Sequence, residues 1–101
     1  MTFIVSEKSA PNGMILVITD KEIMGKVFEE GKKVLDMSAK FYLGEEKSVG
    51  EVLAMAENAY IFHLTGIKAV GLGLKERWIE KGKVLVIKGI PHAEVVKVPG
   101  S

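Results

Sequence analysis

Two stretches near the start of the chain, residues 2–8 and 14–19, are rich in β-branched and apolar residues. Between them, Pro11 presets the first dihedral angle of a turn, and Gly13 accepts the positive φ with which such turns end. These stretches, together with the turn residues between them, predict that the chain opens with a β-hairpin.

The apolar spacing then changes to one that is typical of helices. Asp20 is a favourable N-cap, and apolar residues follow it as far as a glycine, so a short helix is predicted over residues 20–31. Further on, Ser48 and Glu51 have the spacing of a capping box, which predicts a helix start. Residues 49–65 are apolar on most sides, and we expect one long, central, buried helix there.

Gly66 interrupts this pattern. Apolar residues then recur at i, i+3, i+4, i+7 and i+11 from Ile67 onward, so a second helix is predicted over residues 67–78. Further strands are predicted at short apolar runs, residues 34–37, 83–88 and 95–98. Strands at both ends with helices between them indicate a single α+β domain over residues 1–101 with a mixed sheet.

The composition excludes several classes of protein and of functional site. Hydrophobic residues make up 48% and charged residues 27% of the chain, which excludes intrinsic disorder. The absence of Cys excludes disulfides, thiolate nucleophiles and sulfur ligands to metals. No apolar run approaches the ~18 residues of a membrane span, so no membrane partner and a cytoplasmic location are expected. The charged residues are almost all Lys and Glu, with Arg77 the sole arginine, which is typical of thermostable proteins.

The chain has only two imidazoles, His63 and His92. His63 falls on the buried face of the predicted long helix, where a hydrogen-bonded core histidine is expected. No Cys or His pair has the spacing of a metal site, so neither a metal nor a cofactor is predicted. His92 follows a Gly-Ile-Pro bend and precedes Glu94, at a strand end where polar side chains are displayed.

His92 and Glu94, together with Phe41 and Tyr42 of a polar connection, form a candidate ligand site. The alternative for His92 is that it only shapes the corner of the chain with the preceding proline. No catalytic residue is assigned, because the sequence has neither a Gly-Lys-Ser/Thr phosphate loop nor a Ser within a Gly-flanked nucleophile elbow.

The last third of the chain is mildly basic and carries the strongest signal for a partner. The candidate partner-binding residues are on the predicted outer face of the second helix and in the segment after it: Lys68, Leu72, Lys75, Ile79, Lys81, Lys83 and Lys88. Lysines can contact phosphates without reading bases, and a lone Arg argues against base-specific readout. The alternative is a solvated helix face on which lysine stems cover Leu72 and Ile79.

Several short landmarks occur in order along the sequence: Gly25-Lys26-Val27-Phe28-Glu29-Glu30-Gly31, Phe41-Tyr42-Leu43-Gly44, Leu64-Thr65-Gly66 with Ala69-Val70, and Gly89-Ile90-Pro91-His92-Ala93. Taken together, they resemble the archaeal domain-of-unknown-function family 424 over almost the whole chain. In the pattern of that family, Asn is usual where His63 stands and Gln is usual where Glu94 stands. The resemblance implies a small archaeal cytoplasmic protein with no assigned activity.

Three functions are compatible with these features. The leading hypothesis is a non-enzymatic module that binds RNA or a ribonucleoprotein, such as the translation machinery, through the basic last third. The second is a small ligand-binding protein or enzyme with a pocket around His92. The third is a homo-oligomeric structural protein, because a small apolar domain often buries surface against a second copy.

Overall fold

Eight strands and two helices make up residues 1–97, the part of the chain that the computed structural model describes. The strands are β1 (Thr2–Ala10), β2 (Gly13–Asp20), β3 (Val27–Glu30), β4 (Lys33–Asp36), β5 (Glu45–Ser48), β6 (Ala59–Thr65), β7 (Leu85–Ile87) and β8 (Ile90–Val96), and the helices are α1 (Val49–Ala56) and α2 (Ile67–Lys75). Short 3₁₀ turns are at Lys21–Ile23, Lys40–Tyr42 and Lys81–Lys83. The predicted α+β class is confirmed.

Six strands form one mixed sheet in the order β5-β1-β2-β6-β8-β7, and β3 and β4 form a separate hairpin. β2 and β6 run parallel at the centre of the sheet, whereas the other neighbouring strands are antiparallel. Both helices bury apolar residues against one face of the sheet, in a core around Phe3, Phe62 and Leu64. The hairpin β3–β4 and the Lys40–Tyr42 turn contribute to a smaller apolar cluster on the other face.

The opening hairpin and the capping box are confirmed. β1 and β2 pair antiparallel, with Ala10 opposite Gly13 at the turn. At the start of α1, the Glu51 backbone N–H donates to Ser48 Oγ at 3.2 Å, and the Ser48 N–H donates to Glu51 Oε1 at 3.0 Å. These two bonds satisfy donors that a helix N-terminus otherwise leaves without partners. The strands predicted at 34–37 and 83–88 are present as β4 and β7.

The long central helix predicted over residues 49–65 is wrong beyond its first half. α1 ends at Ala56, and residues 59–65 form the central strand β6. A strand at the centre of a sheet is covered on both faces, so residues 59–65 are mostly apolar, and this makes them resemble the continuation of a buried helix. The β-branched and aromatic residues of this run fit the pleated backbone better than a helix.

The helix predicted over residues 20–31 is also absent. Only the single 3₁₀ turn Lys21–Ile23 forms there, and the chain then enters strand β3. Gly25 has a φ of +82° and Gly31 a φ of +62°, which are left-handed conformations that a continuous right-handed helix cannot contain. The two glycines therefore mark turns on either side of a strand.

The second helix exists but is shorter and rotated relative to the prediction. α2 ends at Lys75, and its buried residues are Ala69, Val70 and Gly73, whereas Ile67 is 69% exposed. A Cβ atom on Gly73 would lie within 2.4 Å of the Leu64 side chain, so this glycine lets the helix approach β6 closely. The last predicted strand is confirmed as the end of β8, although its residue Val98 lies outside the described residues.

Candidate functional site

Alternate residues of β6 and β8 place polar side chains on the face of the sheet that is turned away from the helices. The neighbours of His63 in β6 enter the core under the helices, so His63 and Thr65 project from the opposite face. In the antiparallel pairing with β8, Glu94 lies directly opposite His63, and His92 lies directly opposite Thr65. Both histidines of the chain therefore meet at one place.

The Lys40–Tyr42 turn completes this group of side chains. The His63 ring makes edge contacts with Phe41, Tyr42 and His92, at centroid distances of 4.7, 5.9 and 4.7 Å. The four residues of the ligand site predicted from the sequence are thus brought together, although nothing in the geometry identifies a ligand. We refer to these residues as the histidine cluster: Phe41, Tyr42, His63, Thr65, His92 and Glu94.

His63 is the most enclosed titratable member of the cluster, with 8% of the residue exposed. Burial, with a smaller contribution from His92, lowers the pKa of His63 to about 4. Its Nε2 lies 3.1 Å from Glu94 Oε2, and because the ring is neutral near pH 7, this contact is a hydrogen bond from Nε2–H rather than an ion pair. With the proton on Nε2, Nδ1 is an acceptor, and no partner for it is present among residues 1–97.

His92 and Tyr42 are also held in their neutral forms. Burial lowers the pKa of His92, against the opposing effect of the Glu94 carboxylate. The His92 Nδ1 lies 2.8 Å from Thr65 Oγ1, with which it shares a hydrogen bond. Burial raises the pKa of Tyr42, and the carboxylates of Glu94 and Asp36 raise it further. Apart from the solvent-exposed Glu94, the members of the cluster are therefore uncharged, and hydrogen bonds join His63 to Glu94 and His92 to Thr65.

These properties limit the chemistry of the cluster. A general base works best with a pKa near the operating pH, and an imidazole with a pKa of about 4 is a weak base at neutrality. Across the described residues, no group of three or more His, Asp or Glu side chains is placed to hold a metal ion. The cluster suits hydrogen bonding and ring packing better than proton transfer.

The secondary-structure element that contains His63 was predicted incorrectly from the sequence. The helix predicted for residues 49–65 placed it in a core away from His92, whereas β6 places it against that residue. The signal that could have found it is the alternation of Phe62 and Leu64 with His63 and Thr65, which is the period of a strand. His63 and Glu94 are one cross-strand contact pair.

The N-terminus of α2 follows a central strand directly, a position at which many proteins bind anions. Here the position is occupied by the chain itself. Asp20, at the end of β2, accepts hydrogen bonds from the backbone N–H groups of Lys68 at 2.9 Å and Ala69 at 2.7 Å. Gly66 has no room for a side chain, because a Cβ atom would lie 2.2 Å from the Asp20 carboxyl carbon. A phosphate would have to displace Asp20 to bind there.

The predicted partner-binding face of the second helix is only partly correct. Ile79 is buried in the core at 6% exposure, and Leu72 is half-buried against the core, so neither belongs to an outer face. The reason is that α2 ends at Lys75 and Arg77 adopts a φ of +62°, which turns the chain back toward the core. Lys68 is exposed, but its Nζ is paired with the Glu22 carboxylate.

The remaining predicted cations follow the end of α2. Lys75, Lys81, Lys83 and Lys88 are exposed, as is Arg77 between them. Within residues 1–97, none of these five side chains makes an ion pair. We refer to residues 75–88 as the basic segment.

Comparison with known proteins identifies the lineage of the chain but not its activity. A family described as a protein of unknown function (DUF424) matches residues 7–98. The chain belongs to this family. The resemblance seen in the sequence is thereby confirmed, and no curated protein matches the chain.

One solved structure has the same fold. It is the crystal structure of an uncharacterized conserved protein from Methanopyrus kandleri, with a TM-score of 0.78 and 13% sequence identity, and the match covers 100% of this chain and 96% of that one. At this identity the likeness shows the fold alone. Neither helix described by the structure is long and apolar enough to cross a membrane.

Proposed function

We propose that this protein is a non-enzymatic binding module whose basic segment contacts the phosphate backbone of RNA. The observation that carries the proposal is that the five cations of the segment are exposed and have no carboxylate partner among residues 1–97. An unpaired cation contributes to phosphate binding by releasing the counterions of the nucleic acid, whereas a paired one must first give up its own partner.

Several lysines elsewhere in the domain show the contrast, although Lys26, Lys32, Lys33 and Lys40 are also exposed and make no ion pair within residues 1–97. Lys21 binds Glu46 at 3.0 Å, Lys47 lies within 4 Å of two carboxylates, and Lys68 is paired with Glu22. The Lys97 Nζ donates to the carbonyl oxygens of Ala56 and Glu57 at the end of α1. The cations of the basic segment have no such ion pair among residues 1–97, so they are available to bind phosphates.

An aromatic side chain lies within the same segment. Trp78 stacks on Phe62 with ring centroids 4.5 Å apart, and it lines two surface grooves with volumes of about 330 and 300 Å³. Arg77 and Lys97 line the first groove together with Glu57 and Glu76, and Lys83 lines the second together with Glu80 and Glu94. Cations next to an aromatic ring suit single-stranded RNA, in which unpaired bases stack on side chains. RNA of the translation machinery is the first partner to test.

The proposal predicts little sequence preference. Bidentate contacts to guanine favour Arg, and the chain has a single one. Lysines act as point charges that bind phosphates of any sequence. We therefore expect similar affinities for single-stranded RNAs of different sequence and equal length.

Charge reversal within the basic segment tests the proposal. The variant Lys75→Glu/Lys81→Glu/Lys83→Glu should lose most of its affinity for a fluorescent single-stranded RNA, because phosphates are then repelled. The matched control reverses three exposed lysines around β3 and β4, Lys26, Lys32 and Lys33, which gives the same net charge. Equal losses in both variants would show a non-local effect of net charge and contradict the proposal.

A second candidate function is supported by a different observation. The Nδ1 of His63 is a buried acceptor without a partner, and such atoms usually find one in a folded protein. A small ligand or water molecule that reaches the histidine cluster could supply it. A shift in melting temperature with a panel of nucleotides and small carboxylic acids, present in the parent and absent in His92→Ala, would support this function.

A further inference from the structure

Two buried polar side-chain atoms have no hydrogen-bond partner among residues 1–97. They are Thr19 Oγ1, in β2, and His63 Nδ1, in β6. Thr19 is fully enclosed, with 0% of the residue exposed, and His63 is 8% exposed. Buried polar groups in folded proteins almost always have a partner, which is either another protein group or an ordered water molecule. The positions of the two atoms indicate one partner that serves both.

Thr19 and His63 project from the same face of two neighbouring strands. In the parallel pairing of β2 with β6, Thr19 lies beside Thr65, and Val17 lies beside His63. Ile18, the neighbour of Thr19 in β2, enters the core under the helices, so Thr19 points to the opposite face, as His63 does. The two unpartnered atoms therefore belong to one block of side chains at the centre of the sheet.

The separation of Thr19 and His63 fits a bridge rather than a direct contact. The two residues are diagonal neighbours in the block, so the spacing between strands and the rise along a strand put their Cβ atoms about 8 Å apart. A threonine hydroxyl and an imidazole nitrogen cannot span this distance with a direct hydrogen bond. One small molecule between them can bond to both.

The orientation of the His63 ring favours this bridge. Nε2 donates to Glu94 Oε2 in β8 at 3.1 Å. The two nitrogens of an imidazole are directed away from each other across the ring, so Nδ1 faces away from β8 and lies on the side of β2. A third polar atom of the block is Thr65 Oγ1, which shares a hydrogen bond with His92 Nδ1 at 2.8 Å. A hydroxyl has one donor and two acceptor sites, so Thr65 can accept a further bond.

We propose that one water molecule is held between Thr19 Oγ1, His63 Nδ1 and Thr65 Oγ1 as a resident part of the fold. The water donates to His63 Nδ1 and to Thr65 Oγ1, and it accepts the hydroxyl proton of Thr19. Three hydrogen bonds are usual for a buried water molecule. A hydrogen-bonded path then runs from the enclosed Thr19 through His63 to the solvent-exposed Glu94.

This inference rests on the same unpartnered atom as the second candidate function, but it assigns that atom to a resident water rather than to a ligand taken from solution. Thr19 is completely enclosed, so a larger molecule could not reach its hydroxyl without an opening of the fold. A ligand that enters the histidine cluster would shift the melting temperature in the panel above. The absence of any such shift would contradict the ligand and leave the resident water in place.

Oxygen-17 magnetic relaxation dispersion tests the proposal, because it counts water molecules that stay inside the protein longer than the protein tumbles. Thr19→Val keeps the shape of the side chain and removes its hydroxyl, so the variant should hold one long-lived water fewer than the parent. Its melting temperature should fall by about 4–8 °C, because His63 Nδ1 then has no partner. Thr2→Val, the same change at an exposed threonine, is the control and should keep the count.

The same number of long-lived waters in the parent and in Thr19→Val would overturn the proposal. A higher melting temperature of Thr19→Val would also overturn it, because it would show that the hydroxyl is buried in a dry site. If Thr19→Val does not fold, a crystal structure of the parent decides. Density for a water within hydrogen-bond distance of Thr19 Oγ1 and His63 Nδ1 is expected, and its absence would contradict the proposal.

Discussion

The histidine cluster and the basic segment, the two regions with candidate functions, differ in what their polar groups bind. In the cluster, polar atoms bind one another with the exception of His63 Nδ1, and burial keeps both imidazoles neutral. In the basic segment, all five cations face solvent without an ion pair in the described chain. Groups that satisfy one another stabilise a fold, whereas exposed groups without partners are available to another molecule.

Because of this difference, we expect substitutions in the two regions to change different properties of the protein. Changes in the histidine cluster should alter the free energy of unfolding and its dependence on pH. Changes in the basic segment should alter RNA affinity and leave the fold intact, because exposed side chains away from caps and the core contribute little to stability. Each prediction below tests one side of this separation.

Mild acidification should give the largest change in stability, and it should act through His63. The pKa of this residue is about 4 in the folded protein and near 6.5 in the unfolded chain, so the unfolded state binds more protons between these values. The free energy of unfolding must therefore fall as pH drops through this window. We expect a loss of roughly 2 kcal/mol from pH 7 to pH 5, measured by urea denaturation.

The control for this prediction is His63→Asn, which removes the imidazole with the larger shift and leaves His92, whose pKa burial also lowers. The pKa values of Glu22, Asp36, Glu46 and Glu51 are lowered by hydrogen bonds, so these carboxylates also destabilise the fold on acidification, but mainly below pH 5. The variant should show a much smaller change between pH 7 and pH 5. Equal changes in parent and variant would show that His63 is not a buried neutral group.

Removal of His92 should have a smaller effect, on stability alone. His92→Ala loses the hydrogen bond with Thr65 and half-buried ring contacts, which should lower the free energy of unfolding by roughly 1–2 kcal/mol. RNA affinity should remain unchanged. A folded His92→Ala protein with weakened RNA binding would mean that the two regions act together, against the separation proposed above.

The smallest effects should come from single lysines, and they should depend on whether the lysine is paired. Lys68→Gln removes a solvent-exposed ion pair with Glu22, which should leave both the melting temperature and RNA affinity almost unchanged. Lys75→Gln removes a cation that has no ion pair within residues 1–97, and RNA affinity should fall several-fold. Fluorescence anisotropy of both variants side by side is the measurement, and the reverse order would contradict the role of pairing.

Local sequence signals predicted the outer parts of the fold correctly. The opening hairpin has its own turn residues, and α1 starts at the capping box of Ser48 and Glu51. The interactions of a tight turn or a helix cap join residues that are close in sequence, so they can be predicted from a single sequence. The charged edge strand β5 is not predicted from the sequence, because its four residues show no alternation of apolar and polar side chains.

The central strand β6 and the true buried face of α2 could not be predicted in this way. Both are determined by the elements that pack against them in the folded protein. β6 is largely buried, because the helices cover one face and the Lys40–Tyr42 turn covers His63 on the other. α2 is rotated so that Gly73 contacts Leu64 of β6, and Asp20 binds its first turn across 48 residues of sequence. Such contacts over long sequence separations have no local signal.

The candidate ligand site was also predicted only in part from the sequence. His92, Glu94, Phe41 and Tyr42 were grouped from their polar and aromatic character, and the structure brings them together. His63 was placed in the wrong element, although it contacts three of these four residues through ring packing and the fourth through a hydrogen bond. Its contacts become visible only when β6 and β8 are paired in the correct register.

The salt dependence of RNA binding is the most direct test of the account. The affinity of the parent protein for a single-stranded RNA should be measured by fluorescence anisotropy across a series of salt concentrations. If the five cations of the basic segment each neutralise one phosphate, log affinity should fall linearly with log salt, by about 0.7 for each phosphate, which gives a total slope of roughly 3.5. No binding at low salt, or binding that salt does not weaken, would contradict the account.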